Sequence, residues 1–146
     1  MGHYDLADDE VMVVTVPRGD APYLGFQLGT VWYTSLEYAD HQTSLNAQQA
    51  QVDPDGMIRL VISEHDPRVH NWVERLGHDR GYLQFRWQRL DRGRELKPAD
   101  GPTWETVTID RLASILPYYE SNVLGPSSWT ARIAERQRGV AGRMLS

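Results

Sequence analysis

The stretch Gly81 to Leu90, G-Y-L-Q-F-R-W-Q-R-L, alternates so cleanly that it admits one kind of backbone. Leu83, Phe85 and Trp87 point one way and Tyr82, Gln84, Arg86 and Gln88 the other, the period of two that a strand imposes. A second stretch, Pro22 to Tyr33 (P-Y-L-G-F-Q-L-G-T-V-W-Y), repeats the pattern. Its Leu24, Phe26, Leu28 and Trp32 share one face, and Tyr23, Gln27, Val31 and Tyr33 the other. Two strands, each with a dry face and an aromatic-plus-amide face, predict a sheet packed on one side and wet on the other. Gly25 and Gly29 predict a bulge or a close backbone approach within the second strand.

Further strands are expected at Glu10 to Val16, ended by Pro17, and at Met57 to Ser63. The latter follows the turn Asp53-Pro54-Asp55-Gly56, where proline presets one φ and glycine supplies a positive one. Ala47 to Val52 reads as a short strand and Trp104 to Ile109 as the last one. Glu64 to Asp79 is a polar excursion with a helical turn expected near Asn71 to Leu76. Asp110 to Leu116 predicts a short helix capped by Thr108 or Asp110 and stopped before Pro117. Ser127 or Ser128 would cap a final helix, Trp129 to Met144. No helical crossover separates the strands, which argues against a parallel sheet. The expected fold is therefore mainly β, an antiparallel, jelly-roll-like β-sandwich with a short helix and a C-terminal helix. Residues 1–9 are expected to be loose, 10–116 to form the sandwich, and 117–146 to form a connector and the final helix.

Composition removes several chemistries. The chain of 146 residues has no cysteine, so disulfides, cysteine-based zinc sites and a thiol nucleophile are excluded. The segment Met1 to Glu10 is polar and acidic, unlike a signal peptide, and no apolar run approaches the ~20 residues of a membrane helix. A cytoplasmic, non-membrane protein is the expectation. The net charge of −5 argues against nucleic acid as a partner, because phosphate contacts need a positive field. Arg132, Arg136, Arg138 and Arg143 make the tail locally basic, which reads as a solvated helix face.

The wet strand face offers Tyr33, Tyr82, Gln84 and Arg86 as ligand-binding candidates, residue types that orient a polar small molecule. Asn46, Asn71 and Trp72 join them from the loops. Imidazole chemistry points to His41 and His78 as candidate general bases. With Arg86 holding an anion and Asn46 or Asn71 stabilising developing charge, these would make a hydrolase or lyase. His65, Asp66 and His78 have the donors for a metal, yet no H-E-x-x-H spacing occurs, and no cofactor is expected. No G-x-S-x-G elbow or phosphate-binding glycine loop is present. In D-P-R-V-H-N-W, Asp66-Pro67 starts a turn, Asn71 can bond loop backbone and Trp72 can pin the loop to the sheet.

The order D-E-V-M-V-V, Y-L-G-F-Q-L-G-T-V-W, S-L-E-Y, H-Q-T-S-L-N, a D-G turn, S-E-H-D-P-R-V-H-N-W and G-H-D-R-G-Y-L-Q-F-R-W resembles the family known as domain of unknown function 1214. The tail S-S-W-T-A-R-I-A-E-R-Q-R-G-V is similar to the arginine-rich ending of its actinobacterial members. The resemblance implies a β-sandwich that usually forms the C-terminal part of a longer protein, and it implies no reaction. Ser44, Leu45, Asn46, Asp66, Pro67, Asn71, Trp72, Gly77 and His78 match its recurring pattern. Arg68 stands where that pattern has glycine and His70 where it has proline. The functional expectation is a small-molecule-binding or assembly module of a larger protein or complex. Its partner would be another domain or a second copy, docked through Trp129 to Met144. The alternative is the His-dependent hydrolase or lyase acting on a small polar or lipid-like substrate.

Overall fold

The computed structural model describes residues 1–91 and 93–145. Arg92, in the expected loop from Asp91 to Thr103, and Ser146, at the end of the tail, lie outside the described residues. In chain order the strands are β1 (Gly2–Asp5), β2 (Glu10–Pro17), β3 (Tyr23–Thr30), β4 (Ser44–Asn46), β5 (Met57–Ser63), β6 (Trp72–Glu74), β7 (Arg80–Gln88) and β8 (Thr103–Thr108). Three helices follow: α1 (Leu112–Ile115), α2 (Tyr119–Asn122) and α3 (Pro126–Met144). The strands form two four-stranded sheets, ordered β1-β7-β3-β4 and β6-β5-β2-β8.

The alternating stretches behave as the period of two demands. β3 and β7 pair antiparallel with Phe26 opposite Phe85, and Leu24, Phe26, Leu28 and Leu83 are buried against the other sheet. That sheet contributes Met12, Val14 and Val16 from β2, and Ile58, Leu60 and Ile62 from β5. Val11, Val13 and Val61 lie on its outer side with Val69 and Trp72, under Leu112 and Leu116. The centre of β2 and β5 is thus covered on both faces, which is why E-V-M-V-V-T-V is almost continuously apolar.

Several expectations need correction. Residues 1–9 are not loose throughout: β1 pairs antiparallel with β7 and buries Tyr4, with Leu6 buried just beyond it. Its signal, two apolar residues at alternate positions in a polar stretch, is too short to stand out. Strand β3 ends at Thr30 rather than Tyr33. Thr30 and Thr34 close a turn in which Tyr33 takes φ 61°, so Trp32 leaves the dry face and is 83% exposed. The strand expected at Ala47 to Val52 lies instead at Ser44–Asn46. Asn46 Oδ1 accepts hydrogen bonds from the Gln48 and Gln49 backbone N–H groups at 3.0 Å and turns the chain away. The helical turn expected near Asn71 to Leu76 is strand β6, which runs parallel to β5, so the sandwich is antiparallel except for this pair. Alternation explains it: Val73 enters the core between the sheets while Trp72 faces outward.

Helix α3 starts earlier than expected. Gly125 is its N-cap and Pro126 occupies the first turn, where its missing N–H costs nothing. The boundary expected at residue 116 falls inside a shared core, because Leu112 and Leu116 pack with Tyr119 and Trp129. The close approach expected at Gly29 is real: a Cβ there would meet the Tyr82 ring at 2.0 Å and Thr34 O at 2.7 Å. No helix among the described residues is long and apolar enough to cross a membrane.

Candidate functional site

The outer face of the first sheet is open to solvent beside β4, and α3 forms its wall. The groove between them has a volume of about 900 Å³. Tyr23, Gln27, Gln84 and Arg86 floor it, Ser44 and Asn46 edge it, and Arg132, Glu135, Arg136 and Arg143 line the helix side. The floor is wet because these are the outward positions of strands whose inward positions form the core.

The helix is attached to this edge by two arginines one turn apart, which places both on one side of α3. Arg132 Nε donates to Gln42 Oε1, and its Nη2 donates to Gln49 O at 2.8 Å. Its Nη1 lies 2.9 Å from His70 Nε2. Arg136 Nε donates to Tyr38 O, Nη1 to Ser44 O at 2.9 Å and Nη2 to Ser44 Oγ at 2.6 Å. Every one of these acceptors is uncharged. Burial is the main reason both guanidinium groups are held below their ordinary pKa, with neighbouring arginine charge adding to it.

Gln42, only 1% exposed, is the keystone beneath them. Its Nε2 donates to Trp72 O at 2.7 Å, and its own backbone N–H donates to Glu74 Oε2 at 2.5 Å. His70 sits beside Arg132 and has its pKa lowered, chiefly by burial and then by the Arg132 charge. Arg132 Nη1 also lies 3.0 Å from His70 Nδ1, so the neutral ring can offer it a lone pair in either tautomer.

The sequence-based candidates divide sharply. Gln84, Arg86 and Asn46 border the groove, although Asn46 spends its side-chain oxygen on the turn. Tyr82 and Tyr33 stack on each other at 5.3 Å over Gly29, away from the groove, and Tyr82 is buried. Asn71 is scaffold. Its amide donates to Gln51 O and Arg59 O and accepts from Gln51 N, tying three segments together in the interior. Trp72 packs against Trp129 with ring centroids 5.0 Å apart, in the second core. Neither residue lines the groove, and Trp72 joins the sheet to α3 rather than pinning a loop to it.

The histidines do not assemble. His41 Nδ1 lies 3.0 Å from Glu74 Oε1, outside the groove lining. His65 Nε2 lies 2.9 Å from Asp8 Oδ2, and that bond raises the exposed imidazole's pKa. Asp66 Oδ1 accepts from the Arg68 backbone N–H at 2.7 Å. His78 is exposed beyond β6, and among the described residues its side chain has no hydrogen-bond or ion-pair partner. The alternative metal set of His65, Asp66 and His78 is not formed: no group of three or more His, Asp or Glu among the described residues is placed to hold a metal ion.

Sequence reasoning gave Gln42 and His70 no site role, and its solvated helix face is corrected at Arg132 and Arg136, which are half-buried and bonded to the sheet edge. The available signal was the spacing of Arg132, Arg136 and Arg143 along one helix side. Nothing local showed that this side faces the sheet.

No family model matches the chain. No curated protein matches it either. Among solved structures it is similar to an uncharacterized protein from Burkholderia cenocepacia, at 25% identity and a TM-score of 0.66. The similarity covers 75% of this chain and 29% of that one, so the chain spans less than a third of its neighbour's length. What the two share is the sandwich architecture.

Proposed function

We propose that the chain is a ligand-binding module which holds a polar small molecule in the groove between α3 and the outer face of the first sheet, and works within a larger protein or complex. The observation that carries this is the groove itself. Its volume of about 900 Å³ falls in the range of small-molecule sites, roughly 300–1,000 Å³, and convergent amides and guanidinium groups line it. The module part of the reading rests on the neighbour's length, since this chain aligns with 29% of that protein. Kinship with domain of unknown function 1214 belongs to the same proposal. Arg68, which stands where that family's pattern has glycine, takes φ 57°, a glycine-favoured conformation.

Association with another domain or a second copy through α3 would use the exposed outer side of the helix, since Arg132 and Arg136 are engaged within the chain. A cytoplasmic setting is supported by the cysteine-free composition, which carries no disulfide for an oxidising compartment. The alternative hydrolase or lyase chemistry needs His41 or His78 as base. Neither borders the groove, so no observation favours it.

The test is an NMR screen of pooled polar metabolites, reading the backbone amides of Tyr23, Gln27, Ser44, Gln84 and Arg86. A hit should move these resonances, and Gln84→Trp, which fills the floor, should weaken that hit at least roughly tenfold, about 1.4 kcal/mol. Hits that ignore Gln84→Trp, or a screen that leaves the groove resonances unmoved, would overturn the reading.

A further inference from the structure

The groove's charge is out of keeping with the rest of the molecule. The chain carries a net charge of −5, yet the charged groove residues are Arg86, Arg132, Arg136 and Arg143 against the single carboxylate of Glu135. Three of the four arginines form a stripe along α3, and Arg86 stands across from them on the sheet floor. His70 adds a ring nitrogen at one end.

Attachment of the helix does not explain this positive charge. The acceptors for Arg132 and Arg136 are backbone carbonyls, an amide oxygen, a serine hydroxyl and a neutral imidazole, all of which an uncharged donor could satisfy. Burial and neighbouring arginine charge work against both guanidinium groups and are only partly offset by Glu135 near Arg132 and by Glu37 and Glu74 near Arg136, a cost that attachment alone gives no reason to bear. Each planar fork also keeps N–H donors beyond those engaged. The Arg86 side chain has no hydrogen-bond or ion-pair partner among the described residues. Guanidinium forks match the planar oxygens of carboxylate and phosphate, in a geometry that lysine does not provide.

We propose that the groove selects an anionic, hydroxyl-bearing small molecule. Its carboxylate or phosphate lies between Arg86 on the floor and the Arg132–Arg136 pair on the wall, and its hydroxyl groups meet the Gln84 amide and the side-chain carbonyl of Gln27, whose Nε2 donates to Ser35 Oγ. This rests on the groove being a ligand site, as proposed above, and adds the chemical class. The lowered pKa values of Arg132 and Arg136 accord with it, since a bound anion would offset the burial of both groups and the positive charge that Arg136 places on Arg132 and Arg143 on Arg136.

The experiment titrates the whole chain with three matched probes, glucose, glucuronate and glucose 6-phosphate, while reading arginine Nε–Hε and backbone amide resonances. The two anionic sugars should bind at least roughly tenfold more tightly than glucose, weaken as salt is raised, and move the Arg86, Arg132 and Arg136 signals. Whichever of the two binds more tightly names the anion. Arg86→Gln removes a floor charge without touching the helix attachment, so it should cost roughly tenfold in affinity for the anionic probes and bring them closer to glucose. Glucose binding as tightly as its charged relatives would overturn the anionic class and leave the groove reading intact. So would silence from all three probes while the metabolite screen still marks the groove. Silence in both experiments would overturn both.

Discussion

The two sheets of this sandwich each have an outer face, and the faces have opposite fates. That of the second sheet presents Val11, Val13, Val61 and Trp72, and it disappears under α1, α2 and the start of α3. That of the first sheet presents Tyr23, Gln27, Gln84 and Arg86 and stays wet, although the same α3 runs on beside it. One helix therefore makes two kinds of contact. At its start Trp129 lies against Trp72; one to two turns later Arg132 and Arg136 reach carbonyls and amides at the β4 edge. The difference teaches that cover is decided by the pair of surfaces that meet. An apolar face is sealed because sealing it removes apolar area from water. A face of amides and guanidinium groups gains little from being sealed, so the helix bridges its edge and leaves a groove.

The sharpest way to break this comparison is to truncate one residue on each outer face. Trp72→Ala should destabilise the fold by roughly 3–5 kcal/mol, as loss of a buried aromatic does. Gln84→Ala should stay within roughly 0.5 kcal/mol of the parent. Urea unfolding of the two variants checks this, and equal losses would mean the faces are not energetically distinct.

A smaller effect separates scaffold from site. Asn71→Ala leaves Gln51 and Arg59 backbone groups without their interior partner, so it should cost roughly 1–3 kcal/mol. Affinity for a groove ligand, measured well below the melting temperature, should remain that of the parent. A selective loss of affinity would return Asn71 to the site.

The smallest expected effect is in pH. His70, whose folded pKa is lowered, resists protonation, whereas the unfolded chain takes up its proton near pH 6.5. Its contribution is therefore fully present above about pH 6.5 and declines as pH falls below that value. His65 has the opposite sign. Its folded pKa is raised by Asp8, so its contribution is complete below about pH 6.5 and is lost as pH rises through the higher folded value. The protection factors of the amides of residues 130–144, that is, exchange corrected for its intrinsic pH dependence, should thus fall on mild acidification in the parent and lose that dependence in His70→Gln. His65→Gln should leave it in place, because that histidine pairs with Asp8, away from the α3 attachment.

Much of the fold was legible in short stretches. Leu83, Phe85 and Trp87 and their partners Leu24, Phe26 and Leu28 announced their faces by alternation alone, and the wet side of those strands carries the groove floor. The misses share a physical cause. Tyr82 carries the same wet-face label as Gln84, yet Tyr33, turned back at φ 61°, covers it. Asn71 looks like a ligand contact because amides serve sites and scaffolds equally, and only burial tells them apart. The histidines cluster in sequence but separate in space, since the loops that carry them lead to Glu74 in one case and Asp8 in another.

Residue order by itself determined the long strands β2, β3, β5 and β7, the inward faces of β3 and β7, and the absence of cysteine chemistry, because alternation and composition are local properties that need no partner to express them. Tertiary structure alone decided which outer face would be dry, where β6 would pair, and that the arginines of the tail would line a groove. Those outcomes depend on which surface a helix starting at Pro126 meets. Contacts such as Arg132 with Gln42 and Arg136 with Ser44 join residues about ninety positions apart, and no local pattern encodes them.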